Sequence, residues 1–171
     1  MRNAHEIARL LINRYNEVTQ SEFGSSELRL HKLMYFTQRQ SLALTGKPLF
    51  SDDFEAWKHG PVLPDLRFFF DFSFTTYADS SLDETEEYII DSVISEYGSL
   101  AAWALRDLTH QENSWLKGRE GLNENDRGAE IMKLEDIYED AKKVRVYDHL
   151  YDMYLDEFED FEGEVFSSGY K

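Results

Sequence analysis

The chain has 171 residues, of which 42% are hydrophobic, so it can bury a core. The absence of cysteine excludes disulfides, thiol catalysis and thiolate metal sites. Its formal net charge of −16 disfavours nucleic acid and anionic membranes as partners. The charge either favours a basic protein partner or serves solubility alone. No apolar run is long enough to cross a bilayer and the first residues lack a signal-peptide core, so we expect a cytoplasmic protein.

The first predicted element is an amphipathic helix. Asn3 is placed to cap it, and apolar residues recur at helical spacing through about Gln20. A polar stretch then breaks the pattern, and Ser25 or Ser26 can cap a second helix. We therefore expect two helices joined by a short connection.

The second helix carries apolar residues on more than one side, which predicts a central position in the fold. Gly46 lies where a helix-ending residue with positive φ is favoured. Pro48 follows and cannot continue a helix, because it lacks the backbone N–H. Both residues are expected to be structural.

A rigid corner follows this helix. At most a short β-hairpin near residues 50–58 leads to an elbow at Gly60 and Pro61, and Pro64 suits the first turn of another helix. So many restricted residues fix the angle between two helices. The corner is therefore either an architectural joint of the fold or its recognition surface.

A phenylalanine-rich segment, residues 65–74, is predicted to continue as a helix. Its five phenylalanines cannot all face one core from one helix. Some must pack under a loop or meet a partner, so Phe69 and Phe72 are candidate partner contacts. The alternative is that the segment is internal, which is the commoner fate of crowded aromatic residues.

Three further helical segments are expected in the second half. They are Asp83 to Tyr97, Leu100 to His110, and a last region from Ile131 onward, with a loop anchored by Trp115 at residues 111–126. Together these elements predict a mainly α, compact single-domain helical bundle over residues 1–158. Residues 159–171 form an acidic C-terminal tail that is expected to fray.

The five histidines form no compact metal signature. His59 and His110, each close to a tryptophan in sequence, could meet in space, with Glu55 or Asp107 as a third metal ligand. The commoner alternative is a histidine that bonds the protein scaffold. We therefore expect no catalytic residue, metal or cofactor, and keep an enzyme with a His59/His110 site as an alternative.

The corner residues Trp57, Lys58 and His59 have two interpretations. In the functional one, the fixed turn presents them to a partner; in the structural one, Trp57 fills the core while the following Gly-Pro sets the backbone angles. Thr109 and His110 indicate a capping and packing element, with Trp115 closing over it.

Several of these segments, in this order and spacing, resemble the signature of the Panacea antitoxin domain, the SocA-like, phage-associated family. The matching positions are residues 32–36, 42–50, 54–62, 97–99, Leu105, 108–110 and Trp115. The resemblance implies a mostly helical domain that neutralises the toxin of a bacterial or phage toxin–antitoxin pair, or adapts a toxin for proteolysis.

Three hypotheses follow. The chain is an antitoxin that binds a cognate protein toxin, a proteolytic adaptor that delivers a toxin to a protease through its acidic tail, or an enzyme. The phenylalanine-rich segment Phe68 to Phe74 and the long acidic stretch after Asp148 depart from the family pattern. These departures put the partner in doubt and leave the fold intact.

Overall fold

The computed structural model describes residues 1–72, apart from the Phe72 side chain, and residues 80–144. These residues form seven α-helices and one antiparallel hairpin, which confirms the mainly α prediction. The helices are α1 Ala4–Thr19, α2 Glu27–Thr45, α3 Phe69–Phe72, α4 Glu84–Tyr97, α5 Ala102–Thr109, α6 Asn113–Gly118 and α7 Leu134–Ala141. The strands are β1 Glu55–Trp57 and β2 Gly60–Val62.

The ends of the first two helices lie where local capping chemistry predicts them. The Asn3 side chain accepts a hydrogen bond from the Glu6 amide at 2.9 Å, and the Ser26 hydroxyl accepts one from the Arg29 amide at 3.2 Å. Gly46 ends α2 with a φ of 71° and donates its N–H to the Leu42 carbonyl. These bonds satisfy amides and carbonyls that a helix end leaves without a partner.

Helix α2 is the centre of the fold. Every residue from Leu30 to Leu42 is buried, and the helix packs against α4, α5, α7 and β2. A helix that is enclosed on all sides must find partners inside the protein for its polar side chains, because water cannot reach them. Those side chains therefore decide which segments α2 holds in place.

One such side chain, Gln38, holds the segment that leaves α2. Its amide nitrogen donates to the Phe50 carbonyl at 2.9 Å, and its amide oxygen accepts from the Leu49 amide at 2.8 Å. The chain is thus turned back against the helix at residues 49–50. The first strand of the hairpin begins five residues later.

Tyr35 and Arg39 hold the opposite side of the molecule. The Tyr35 hydroxyl lies 3.1 Å from the Ser114 hydroxyl and donates to Asp140 at 3.2 Å. Arg39 donates to Glu112 at 2.5 Å. Asp140 is buried and accepts the Ser114 amide at 2.8 Å, so a carboxylate on α7 caps the start of α6.

The hairpin places Lys58 and His59 at a two-residue turn, with Trp57 paired to Gly60. It spans residues 55–62, somewhat later than the predicted 50–58. On its other side β1 is hydrogen-bonded to a distant segment: the Ala56 amide donates to the Glu130 carbonyl at 2.8 Å and the Lys58 amide to the Arg127 carbonyl at 2.9 Å. The strand is therefore held on both edges.

The predicted helix over residues 65–74 is wrong. The structure has a 3₁₀ turn, Pro64–Leu66, followed by an extended Arg67 and by Phe68 with a φ of 61°. A left-handed residue interrupts a right-handed helix, so α3 starts afresh at Phe69.

Two other predicted boundaries also change. Residues 111–126, expected as a loop, contain α6, whose start is stabilised by Asp140. Helix α5 begins at Ala102, two residues later than expected, with Ala101 as its N-cap.

The chain beyond Val144, including the domain boundary and acidic tail predicted around residues 158–159, lies outside the described residues. Within the described part, no helix has the length and apolarity to span a bilayer.

Gly60 is a point of close approach between the hairpin and helices α2 and α5. Its φ is 106°, and a Cβ built on it would lie 2.6 Å from the Thr109 hydroxyl and 2.8 Å from the Lys32 side-chain Cε. Only glycine suits both the backbone angle and the space. This is the physical reason for the glycine in the predicted elbow.

We predict that Gly60→Ala lowers the free energy of unfolding by about 3 kcal/mol, since backbone strain and steric overlap add. Gly121→Ala is the matched control. Its φ is 79° and nothing lies within 4 Å of an added Cβ, so it isolates the backbone term of about 1 kcal/mol. Urea unfolding of both variants measures the difference, and equal losses would show that the space around Gly60 is not restricted.

Candidate functional site

A cleft of about 660 Å³ opens between the first half of α2, the hairpin and the loop around residue 126. Its lining is Glu27, Leu28, His31, Lys32, Trp57, Lys58, His59, Val62, Arg67, Asn125 and Arg127. A volume of this size suits a small molecule or a few side chains of a partner. We call it the Trp57 cleft.

Lys32 forms the floor of the Trp57 cleft. The side chain is fully buried, and its Nζ donates to the Pro61 carbonyl at 2.8 Å. An ammonium has three donors, and this is its one hydrogen bond to residues 1–72 and 80–144. Burial, assisted by the charge of Arg106, lowers the pKa of Lys32 to about 7.

His31, the neighbouring residue, fixes the end of the hairpin. Its Nδ1 accepts the Leu63 amide at 3.1 Å, so the ring proton is on Nε2, which lies 3.5 Å from the Glu27 carboxylate. Burial lowers the pKa of His31 to about 3, which keeps the ring neutral near neutral pH. Glu27 also pairs with Arg67 at 3.3 Å.

Trp57 forms one wall of the cleft and is partly buried. Its indole N–H donates to Glu55 at 2.6 Å, so Glu55 is already engaged. Two guanidinium groups lie over the ring, with the Cζ of Arg127 4.6 Å and that of Arg67 5.4 Å from the ring centroid. Both distances are within the range of cation–π attraction.

The cleft is cationic although the chain is acidic. The sequence holds 34 acidic residues against 18 basic ones, yet the lining has one carboxylate, Glu27. Four basic side chains converge there: Lys32, Lys58, Arg67 and Arg127. Local charge in the cleft is thus opposite in sign to the net charge, which the composition alone could not indicate.

The predicted contact residues have different surroundings. Lys58 and His59 are half-exposed at the hairpin turn, where His59 Nδ1 accepts from Arg106 at 3.2 Å. Phe69, expected as a partner contact, is 1% exposed and packs in the core, so we withdraw it from the contact surface. The Phe69 ring is part of the core because α3 begins again at this residue. The side chain of Phe72 lies outside the described part of the chain.

The two blocks of the sequence signature meet behind the cleft. Trp115 donates its indole N–H to the Trp57 carbonyl at 2.8 Å, and the His110 ring stacks on Trp115 with 3.8 Å between centroids. Thr109 is fully buried and lies against Gly60. The conformationally restricted corner and the end of α5 therefore form one joint.

The metal site hypothesised around His59 and His110 is not formed. Asp107 accepts from Arg106 at 2.9 Å, and His110 is stacked on Trp115, where burial lowers its pKa to about 4. Across residues 1–72 and 80–144, no three histidine or acidic side chains are grouped to share a metal ion.

The profile of a domain family described as "Antitoxin SocA-like, Panacea domain" matches residues 30–116. The chain belongs to this family. Antitoxin SocA of Caulobacter vibrioides (strain NA1000 / CB15N) is 39% identical to it over 62 residues, which are 36% of this chain and 31% of that protein. The match thus spans less than a third of that relative, and no solved structure matches the chain.

The region matched to the Panacea domain corresponds to the joint described above. It begins at Leu30, the first residue of the buried part of α2, and ends one residue after Trp115. Lys32, Trp57 and Thr109 all lie within it. Arg127 lies beyond it, so the charge of the Trp57 cleft depends partly on residues outside the matched region.

We predict that the buried Lys32 makes stability rise with pH. The folded-state pKa of about 7 lies below the ordinary 10.5, so between these values the unfolded chain binds more protons than the folded one. Below pH 7 the free energy of unfolding is reduced by the full cost of burying the charged ammonium, and this reduction becomes smaller as pH rises. Urea unfolding from pH 6 to 9 should show a slope approaching ~1.4 kcal/mol per pH unit above pH 7.

The variant Lys32→Met separates this contribution from other titrating groups. Its free energy of unfolding should lack the increase with pH that Lys32 causes. The variant should therefore be more stable than the wild type by an amount that decreases as pH rises from 7 to 9. Lys47→Met, at an exposed position, is the control and should keep the wild-type slope. Parallel pH profiles for the wild type and Lys32→Met would contradict the assignment.

Proposed function

We propose that this chain neutralises a protein toxin by binding it directly. The observation that carries the proposal is membership of the SocA-like Panacea family, which is matched over residues 30–116. A relative named as an antitoxin shares 39% identity over 62 residues. The structure supports a binding role through an exposed surface beside the cleft.

We define the hairpin face as Lys58, His59, Trp103 and Arg106. The His59 ring centroid lies 5.2 Å from that of Trp103, which is 55% exposed. A guanidinium lies against the Trp103 ring, with the Cζ of Arg106 4.7 Å from its centroid. Tryptophan and arginine are the residue types that most often dominate binding energy at protein interfaces.

The hairpin face is also rigid, which favours tight binding. The turn is anchored from behind by Lys32 at Pro61 and by His31 at Leu63. A surface that is ordered before binding loses little conformational entropy when the partner arrives. Trp57 contributes to the same turn from the wall of the cleft.

The charge expected of the toxin differs between long-range attraction and short-range contact. At long range the net charge of −16 favours a basic toxin, and we propose a basic partner on this ground. At short range the hairpin face carries the ammonium of Lys58, which has no ion pair within the described residues, while the Arg106 guanidinium is paired with Asp107 at 2.9 Å. The toxin should therefore present carboxylates or carbonyls to this face, even if its overall charge is positive.

We further propose that the chain acts as a binding protein and not as an enzyme. His59 accepts from Arg106 and His110 is stacked against Trp115, so both rings are part of the packing around the turn. In the alternative function, proteolytic delivery, the acidic C-terminus from Phe158 to Lys171 would be the tether, and it lies outside the described residues. Removing residues 158–171 tests it: loss of toxin degradation with toxin binding intact would indicate an adaptor.

Direct binding predicts a stable equimolar complex with the protein encoded by the neighbouring gene. Co-expression, co-purification and light scattering would measure the stoichiometry. Trp103→Ala should weaken the complex at least tenfold by calorimetry and reduce protection of growth, because it removes the most exposed anchor of the hairpin face.

Leu116→Ala is the matched control. Leu116 is a 46% exposed apolar residue on α6, outside the hairpin face, so its affinity should equal that of the wild type. Absence of any complex with the wild-type chain would overturn direct binding. A complex that Trp103→Ala leaves unchanged would overturn the assignment of the hairpin face.

A further inference from the structure

We propose that the Trp57 cleft is a binding site for an organic anion, an oxyanion such as a carboxylate or phosphate carried on an apolar or aromatic body. This site adjoins the hairpin face and shares Lys58 and His59 with it, but its ligand is an organic anion and not the toxin. The proposal depends on which donors converge in the cleft, what its walls are made of, and how firmly it is held.

The Trp57 cleft holds positive charge that is not fully compensated. Within the described part of the chain, Lys58 has no acidic partner, and the guanidinium of Arg127 contacts the Trp57 ring without an ion pair. Arg67 shares the single carboxylate, Glu27. Cations brought together in a partly desolvated cleft repel one another, and an anion placed among them removes that cost.

The floor of the cleft is a buried lysine. Lys32 uses one of its three N–H donors on the Pro61 carbonyl, and its side chain is fully buried beneath the cleft that it lines. An anion in the cleft would stabilise the charged form of Lys32, which burial disfavours. Anion binding and protonation of this lysine should therefore support each other.

The cleft also has an apolar wall. Leu28, Val62 and the Trp57 ring line the same cleft as the cations. Such walls favour a ligand with an apolar or flat body, because burying that body adds a hydrophobic contribution to the charge pairing. A bare inorganic anion would gain the charge pairing alone.

The cleft is already formed before a ligand binds. His31 holds Leu63, Lys32 holds Pro61, and the Trp57 carbonyl is held by Trp115. Binding therefore requires little rearrangement, as in most small-ligand sites. The anion could be a free small molecule or the carboxylate of a polypeptide, and the chemistry of recognition is the same.

The test uses the full chain labelled with ¹⁵N and follows its tryptophan indole N–H signals by NMR. The Trp57 signal is identified as the one lost in Trp57→Phe. N-acetyl-phenylalanine, which joins a carboxylate to an aromatic body, should shift this signal saturably with a Kd of roughly 1 mM or tighter. N-acetyl-phenylalaninamide, which differs in lacking the charge, should bind at least tenfold more weakly.

Variants then test the residues. Lys58→Gln and Arg127→Gln should each weaken the binding of N-acetyl-phenylalanine at least tenfold, because each removes a charge-assisted hydrogen bond. Lys142→Gln, whose side chain is 56% exposed outside the cleft, should leave affinity unchanged. Unchanged Trp103 and Trp115 signals would show that the variants remain folded.

Two further probes separate the sources of the anion. An acetylated pentapeptide ending in phenylalanine with a free carboxylate binds more tightly than N-acetyl-phenylalanine if the ligand is a polypeptide, and less tightly if it is a small molecule. Inorganic phosphate should bind more weakly than either. No Trp57 shift, equal binding of acid and amide, or full affinity in both glutamine variants would overturn the site. No toxin is used, so failure of the proposed antitoxin function gives a different result.

Discussion

The structure depends on hydrogen bonds from one buried helix to the backbone of distant segments. Helix α2 is enclosed from Leu30 to Leu42, and its polar side chains cannot reach water. Gln38 therefore bonds the Leu49 amide, and Lys32 bonds the Pro61 carbonyl. A buried polar group that loses its partner costs more than an ordinary hydrogen bond contributes, so each bond constrains the segment it holds.

This constraint explains how an acidic helical domain can display a cationic site. The hairpin is locked against α2, and Trp57 is positioned to meet Arg127 from a segment 70 residues farther along the chain. The same joint unites the two halves of the Panacea signature, since Thr109 packs on Gly60 and Trp115 bonds the Trp57 carbonyl. These signature residues thus act together to hold the hairpin turn in its position.

Much of the fold could be predicted because helix ends are set locally. Asn3 and Gly46 act on residues within one turn, so the ends of α1 and α2 follow from the sequence. The start of α6 could not be predicted, because its cap, Asp140, comes from another helix. The cleft was missed for the same reason: Arg67 and Arg127 are 60 positions apart in the sequence. The sequence offered two partial signals: a lysine within a buried stretch, Lys32, and the corner residues Trp57, Lys58 and His59, which also line the cleft.

The most direct test of this account is native-state hydrogen exchange at the amides held by α2. Leu63 donates to His31 and Leu49 donates to Gln38, whereas the Lys47 amide donates to the exposed hydroxyl of Thr45. We expect Leu63 and Leu49 to exchange only through global unfolding, with a free energy equal to that from urea, and Lys47 to exchange through local opening. If Leu63 and Leu49 exchange as readily as Lys47, the buried helix does not hold these segments and the account is contradicted.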